Sequence, residues 1–410
     1  MATSLEKQIG HLPKEVKFCK KCVVSNQRPR ITFDEEGVCS ACRYAEWKQR
    51  EIDWSVRGAE LKELCDKYRS KDGSYDVVVP GSGGKDSARV SHMLKHEYGM
   101  SPLTVTWAPF QYTDIGFQNF QSFIQSGFDN FLVHPNGLFH RKLSHLAFYL
   151  LGDAWQPFAY GQMAMAFRIA MKFGIKLVFF GENGEAEYSG DLRHAKMPGM
   201  PLEVWREVYY KGSMVDDVVE KGLEAGIFTP EEIKREQASL QFYRAPGLDE
   251  FKAAGAQMHW FAYYHHWVPQ ENYYYCREHT GFEANPAGRS EGTYSKYASL
   301  DDRMDGFHYY LAFMKFGIAR TTSDAAHEIR DGHIARDEGV SLVKRYDGEF
   351  PKLYYQDFLR YTGITDGQFN EVLDHFRSPT VWKKEGGEWK LTEAVWHPKH
   401  LAAAGSKLSF

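Results

Sequence analysis

Residues 75–98 restrict the fold more than any other segment, because the hydrophobic period changes there across one short glycine-rich turn. Tyr75-Asp76-Val77-Val78-Val79-Pro80 is a β-branched run bounded by Gly73 and Gly81, which predicts a buried strand. Over residues 86–98 the apolar Ala88, Val90, Met93 and Leu94 recur among basic side chains and the pattern stops at Gly99, which predicts a helix. The link is Ser82-Gly83-Gly84-Lys85-Asp86-Ser87. Adjacent glycines let backbone approach an anion, the helix start offers unpaired N–H groups and positive dipole, and Ser82, Lys85 and Ser87 add donors. Pyrophosphate fits such a cradle; an ordinary strand-to-helix turn is the competing reading. A Walker A loop is excluded, since Asp86 intervenes between lysine and serine.

The alternation continues with strands over residues 103–107, 128–133 and 177–180 and helices over 115–126, 139–152 and 160–174. Strand-helix alternation implies an α/β fold, a parallel sheet with helices on both faces. Residues 46–69 read as one or two amphipathic helices, and 200–285 as helical and aromatic without a clear order. The rest is mostly helical, with a small hairpin at Gly386-Gly387. At about 150 residues per domain, 410 residues divide into a cap (1–70), an anion-binding α/β domain (71–200) and a helical, aromatic-rich region (201–410). The dense run from His259 to Trp267 reads as a core helix or, in the rival reading, as a sugar-pocket lining.

Cys19-x-x-Cys22 and Cys39-x-x-Cys42 have the spacing of a zinc ribbon or knuckle. Four thiolates leave no open coordination position, so the site is structural; an iron–sulfur cluster takes the same ligand set. A folding or docking role outweighs RNA contact, because the intervening residues carry little basic excess beyond Lys20, Lys21, Arg28 and Arg30. With 50 Lys and Arg against 54 Asp and Glu, the chain also lacks the single-sign charge that nucleic acid or membrane surfaces attract. Neither a bilayer-crossing run nor an N-terminal apolar leader is visible, which predicts a cytoplasmic protein with reduced cysteines.

After the fourth strand, Gly181-Glu182-Asn183-Gly184-Glu185-Ala186-Glu187-Tyr188 falls where open parallel sheets present ligands. Glu182, Asn183, Glu185, Glu187 and Tyr188 suit a hydroxyl- or amide-bearing substrate, and Glu182 suits proton transfer; a solvated acidic loop is the alternative. A glutamine-hydrolysing nucleophile is missing: residue 2 is Ala, Cys65 sits in a charged helical stretch, and Cys276 lacks flanking glycines.

The SGGKDS turn resembles the PP-loop of the ATP pyrophosphatase superfamily, whose members cleave ATP between the α- and β-phosphates and adenylylate a substrate. The resemblance assigns Ser82, Gly83, Gly84, Lys85 and Ser87 to phosphates, Asp86 to Mg²⁺, and the strand end at Trp107 to backbone contacts with adenine. Together with the CxxC pairs, Gly181–Glu185, Lys296-Tyr297-Ala298-Ser299-Leu300-Asp301-Asp302-Arg303 and Tyr346-Asp347-Gly348-Glu349-Phe350-Pro351, most of the chain resembles the N-acetyl sugar amidotransferase family. That family acts in biosynthesis of lipopolysaccharide O-antigen sugars or flagellar nonulosonic (pseudaminic, legionaminic) acids. The resemblance implies conversion of an acetamido sugar, free or nucleotide-linked, to its acetamidino form with release of AMP and pyrophosphate. It also implies ammonia from a separate glutaminase through an ammonia-channel (cyclase-like) partner, in agreement with the missing nucleophile. By weaker analogy Lys296, Asp302 and Arg303 close over the pyrophosphate, unless they are a surface ion-pair cluster. The family more often has glycine where Ser189 stands, which leaves the sugar, not the reaction, open. A tRNA-modifying enzyme, thiolase or lysidine-type, and a non-catalytic ATP-sensing or zinc-stabilised assembly module are the rival readings.

Overall fold

A computed structural model describes residues 4–201 and 204–410. Five strands, β1 (Val77–Pro80), β2 (Pro102–Trp107), β3 (Asp129–Val133), β4 (Leu177–Phe180) and β5 (Gln257–Trp260), form one parallel sheet in the order β3-β2-β1-β4-β5. The α/β architecture expected from the alternation is present, with a largely helical C-terminal part. The chain steps outward from β1 to β2 and β3, then returns to lay β4 against the opposite side of β1. That reversal opens a crevice beyond the C-terminal ends of β1 and β4, where open α/β sheets place ligands.

The helices that cover the sheet follow from side-chain alternation along the strands. Val78, Val105 and Val178 face one side, under α5 (Gly137–Leu151) and α6 (Gln156–Lys172). Val77, Val79, Leu177 and Phe179 face the other, under α2 (Trp54–Tyr68) and α3 (Lys85–His96). The approach of α6 to β2 requires a bare backbone: a Cβ on Gly161 would lie 2.3 Å from the Trp107 indole. Trp107 itself is buried in this core, edge-on to Tyr243 at 5.3 Å.

One sequence expectation fails in the aromatic run. His259 and Trp260 end strand β5, and only Phe261–Tyr264 form a single helical turn. Hydrogen-bonded register with β4, from Leu177↔Gln257 to Phe180↔Trp260, overrides the local pattern. Phe261 and Trp267 are core residues, buried against Val79 and Phe179.

The C-terminal helices Asp305–Phe316, Arg320–Arg330, Arg336–Tyr346, Tyr355–Thr362 and Asp366–Phe376 precede the antiparallel hairpin Trp382–Glu385/Glu388–Leu391, at the expected position. Phe358 and Phe369 pack on Phe148 of α5, and Phe307 stacks on Phe358 at 4.3 Å in the same cluster. The cysteine-rich cap does not stand apart: Val23, Val24 and Val38 share a core with Ile318, Ala325, Val340 and Val395. The beginning and the end of the chain therefore fold as one body. Among the described residues no helix is long and apolar enough to cross a membrane.

Candidate functional site

Immediately after β1, Gly83 adopts φ +86°, and a Cβ there would lie 2.6 Å from the Phe120 Cα. Only glycine satisfies both the backbone angle and that close approach. The bend brings Gly84 to the N-cap of α3, and the first helical amide with a backbone acceptor is that of Ala88, on Gly84 O at 3.1 Å. The preceding helical amides have no backbone acceptor among the described residues, which leaves unclaimed donors at the positive end of the helix. Ser82, Gly83, Gly84, Lys85, Asp86 and Ser87 all line one cavity of about 280 Å³, with Gly181 and Glu182 from the end of β4 and Asp301 and Arg320 from the C-terminal part.

A second cavity, of about 340 Å³, adjoins the first. The two share Lys85, Asp86, Glu182, Tyr297, Ala298 and Arg320, and so form one cleft with two chambers. The second chamber is lined by Arg28 from the cap, Tyr188 from the π-helical turn Glu185–Ser189, and His308, Tyr309, Asp324, His327 and Glu328 from the C-terminal helices. Aromatic faces beside paired charges and hydroxyls suit a polar, ring-shaped ligand.

The shared wall carries the strongest electrostatic coupling. Lys85 Nζ lies 2.5 Å from Asp86 Oδ2, while Asp86 Oδ1 accepts a hydrogen bond from Asn272 at 2.7 Å. Burial, and then the neighbouring Asp86 charge, push the Glu182 carboxyl up to about 7, with Lys85 partly offsetting them. A carboxyl poised there exchanges a proton near neutrality. Burial opposes the charge of Arg320, yet Asp324, Tyr309 and Asp305 hold its guanidinium well above the ordinary arginine range. Its Nε lies 3.0 Å from Asp324 Oδ1.

The other carboxylates after β4 turn away from the cleft. Glu185 receives a two-pronged bond from Arg30, at 2.7 and 2.9 Å. Glu187 is buried against Lys48 at 2.5 Å, with His327 Nε2 at 3.7 Å. Asn183 accepts from the Ala186 and Glu187 amides through its carbonyl and so shapes the turn. Of the expected substrate residues, Glu182 and Tyr188 therefore face the chambers, whereas Glu185 and Glu187 fasten the cap. Lys296 is exposed and lines neither chamber. Asp302 is buried and accepts backbone N–H bonds from Phe110 and Met304. Arg303 donates to Tyr112 O at 3.0 Å. Asp302 and Arg303 thus tie the segment after β2 to the C-terminal part, and the C-terminal cation that reaches the cleft is Arg320. Arg320, Asp324, Arg28 and His308 belong to no motif and lie far from the turn in sequence, so only tertiary packing reveals them.

The four cap cysteines converge, with Cys19 Sγ–Cys42 Sγ at 3.9 Å, Cys22 Sγ–Cys39 Sγ at 3.7 Å and all four sulfurs within 4.8 Å of one another. Zinc–sulfur bonds of about 2.3 Å give tetrahedral S···S edges of about 3.8 Å. The donor set and spacing therefore fit one structural zinc ion. Amides of Lys21, Cys22 and Cys39 point at Cys19 Sγ at 3.3–3.4 Å, and Arg336 donates to the Cys19 and Cys22 carbonyls. Such outer contacts fix the ligands and spread thiolate charge.

No curated protein matches the chain. Residues 291–395, which supply Tyr297, Asp301, His308, Arg320 and Asp324 to the cleft, match the family described as LPS biosynthesis protein WbpG-like, C-terminal domain, and that similarity points to a role in lipopolysaccharide or related glycan biosynthesis.

Proposed function

We propose that the protein is an ATP-dependent amidotransferase of bacterial surface-glycan biosynthesis, which replaces the oxygen of a sugar acetamido group by nitrogen. The observation that carries this reading is the two-chambered cleft: a glycine-rich anion cradle at the switch point of a parallel sheet opens directly into a polar, aromatic chamber built partly by the WbpG-like region. The cradle takes the triphosphate of ATP, in the manner of a PP-loop, and the second chamber takes the sugar.

An amide oxygen is a poor leaving group. Attack of the acetamido oxygen on the α-phosphorus converts it to an adenylyl imidate and expels pyrophosphate. The amides of Ser82 to Ser87, Lys85 and Arg320 stabilise the charge that develops on the departing pyrophosphate. Asp86 and Glu182 would hold the divalent cation, Mg²⁺, that screens the phosphates. Ammonia, delivered by a separate glutaminase and its channel partner, then displaces AMP. Enclosure between the chambers keeps water from the imidate.

The test is incubation of the purified chain with ATP, Mg²⁺, ammonium and a panel of nucleotide-linked acetamido sugars. AMP and pyrophosphate should form only when sugar is present, with a product that has gained one nitrogen and lost one oxygen by mass spectrometry. Formation of ADP, or sugar-independent turnover, would overturn the proposal.

A further inference from the structure

Resting on the reading just given, we infer that His308, oriented by Asp153, is the base that removes a proton from the incoming ammonia once it has added to the activated sugar. His308 lines the second chamber, and its Nδ1 lies 2.9 Å from Asp153 Oδ2 and 3.1 Å from Oδ1. Asp153 is 2% exposed and also pairs with Lys211. Burial opposes its charge, but His308 and Lys211 more than compensate and keep its carboxyl well below the ordinary range. An ionised carboxylate only accepts, so in the neutral imidazole the proton sits on Nδ1 and Nε2 keeps its lone pair. Among the described residues no protein group takes Nε2.

The buried histidine of the chamber offers a contrast to the half-buried His308. His327 is enclosed within the cap contacts, with Nδ1 at 3.0 Å from Asp331 and Nε2 only at ion-pair distance, 3.7 Å, from Glu187. His308 has the carboxylate–imidazole arrangement at Nδ1, keeps Nε2 without a protein partner among the described residues and lines the chamber, as a general base requires.

The step balances as follows. The nitrogen lone pair of ammonia forms a bond to the imidate carbon, giving a tetrahedral centre that carries an –NH₃⁺ group and the O–AMP group. His308 Nε2 takes one proton from that ammonium. The C–O bond then breaks, its electron pair leaves with AMP, and the remaining nitrogen lone pair closes the amidinium. The imidazolium returns its proton to solvent when the cleft opens. Nothing is oxidised or reduced, and the only co-reactant is ammonia.

The test separates the two half-reactions. Sugar-dependent exchange of labelled pyrophosphate into ATP, without ammonia, reports adenylylation; amidine formation with saturating ammonium reports the second step. In His308→Gln the ratio of amidine formation to exchange should fall by about 10²–10⁴-fold, with added imidazole restoring part of the rate in His308→Ala. Asp153→Asn, which keeps the imidazole but frees its orientation, should lower kcat for amidine formation with little change in KM for the sugar. An unchanged ratio in His308→Gln, or equal losses in both half-reactions without imidazole rescue, would overturn the role of His308. Absence of exchange in the wild-type protein would instead overturn the amidotransferase reading itself.

Discussion

Lys48 Nζ lies 2.5 Å from Glu187 Oε1, and the two side chains are only 7% and 5% exposed. The pair joins the helix Ser40–Glu51 of the cap to the turn that follows β4, and Arg330 reinforces it by donating to Glu187 O at 2.8 Å. Burial opposes the Glu187 charge, but Lys48 and His327 draw its carboxyl down to about 2. A carboxyl depressed on folding adds stability above its unfolded value and loses that stability as pH falls through the folded one. Glu187→Gln should therefore cost about 3–5 kcal/mol at pH 7, because Lys48 is left buried without its counter-charge. The cost should shrink between pH 4.5 and pH 2. Urea unfolding of both proteins across that range measures it; an equal difference at pH 7 and pH 2 would contradict the assignment.

Glu182→Gln should behave in the opposite way. The side chain lies between the two chambers, and burial with the Asp86 charge already pushes it up to about 7, so removing its charge relieves repulsion. Thermal stability should be unchanged or raised, while sugar-dependent AMP formation falls at least about 10²-fold. Melting and turnover assays on the same preparations read the two effects.

Gly83→Ala should fail on geometry. The residue would have to hold φ +86° with its methyl 2.6 Å from the Phe120 Cα, so the turn must move. Backbone strain of about 1–3 kcal/mol is expected, together with loss of ATP binding measured by calorimetry. Gly84→Ala, where φ is −65° and the nearest atom is Ser82 Oγ at 3.7 Å, should fold normally.

Metal analysis should find one zinc ion per chain and no iron, and Cys39→Ser should abolish it. Because the cysteine cap shares its core with Ile318, Ala325 and Val340, loss of the metal should loosen the C-terminal helices as well as the cap. Hydrogen exchange of residues 320–343 reports that coupling. Protection confined to the wild-type level in Cys39→Ser would show that the cap folds without its ion.

Arg320→Met should lower sugar-dependent AMP formation by about 10²-fold or more, since Arg320 is, with Lys85, one of the two cations that line both chambers. Lys296→Met, on an exposed side chain outside the cleft, should leave turnover within about twofold of wild type, as surface substitutions usually do.

The sequence by itself determined the elements that depend on neighbours along the chain. The turn from Val79 to Ser87 was legible because strand period, adjacent glycines and helix period follow one another within a few residues, and the four cysteines because two CxxC pairs carry their own ligand geometry. Tertiary structure alone decided the rest. Strand β5 forms because Met258 and Trp260 find hydrogen-bonding partners on β4, although the local aromatic pattern reads as a helix. Glu185 and Glu187 resemble Glu182 in the sequence, yet Arg30 and Lys48 of the cap engage them and leave Glu182 to the cleft. Arg320 and His308 reach the same cleft because the C-terminal helices pack against α5 and the cap. Which polar side chain is paired and which stays free depends on contacts between residues hundreds of positions apart, and no local pattern encodes those contacts.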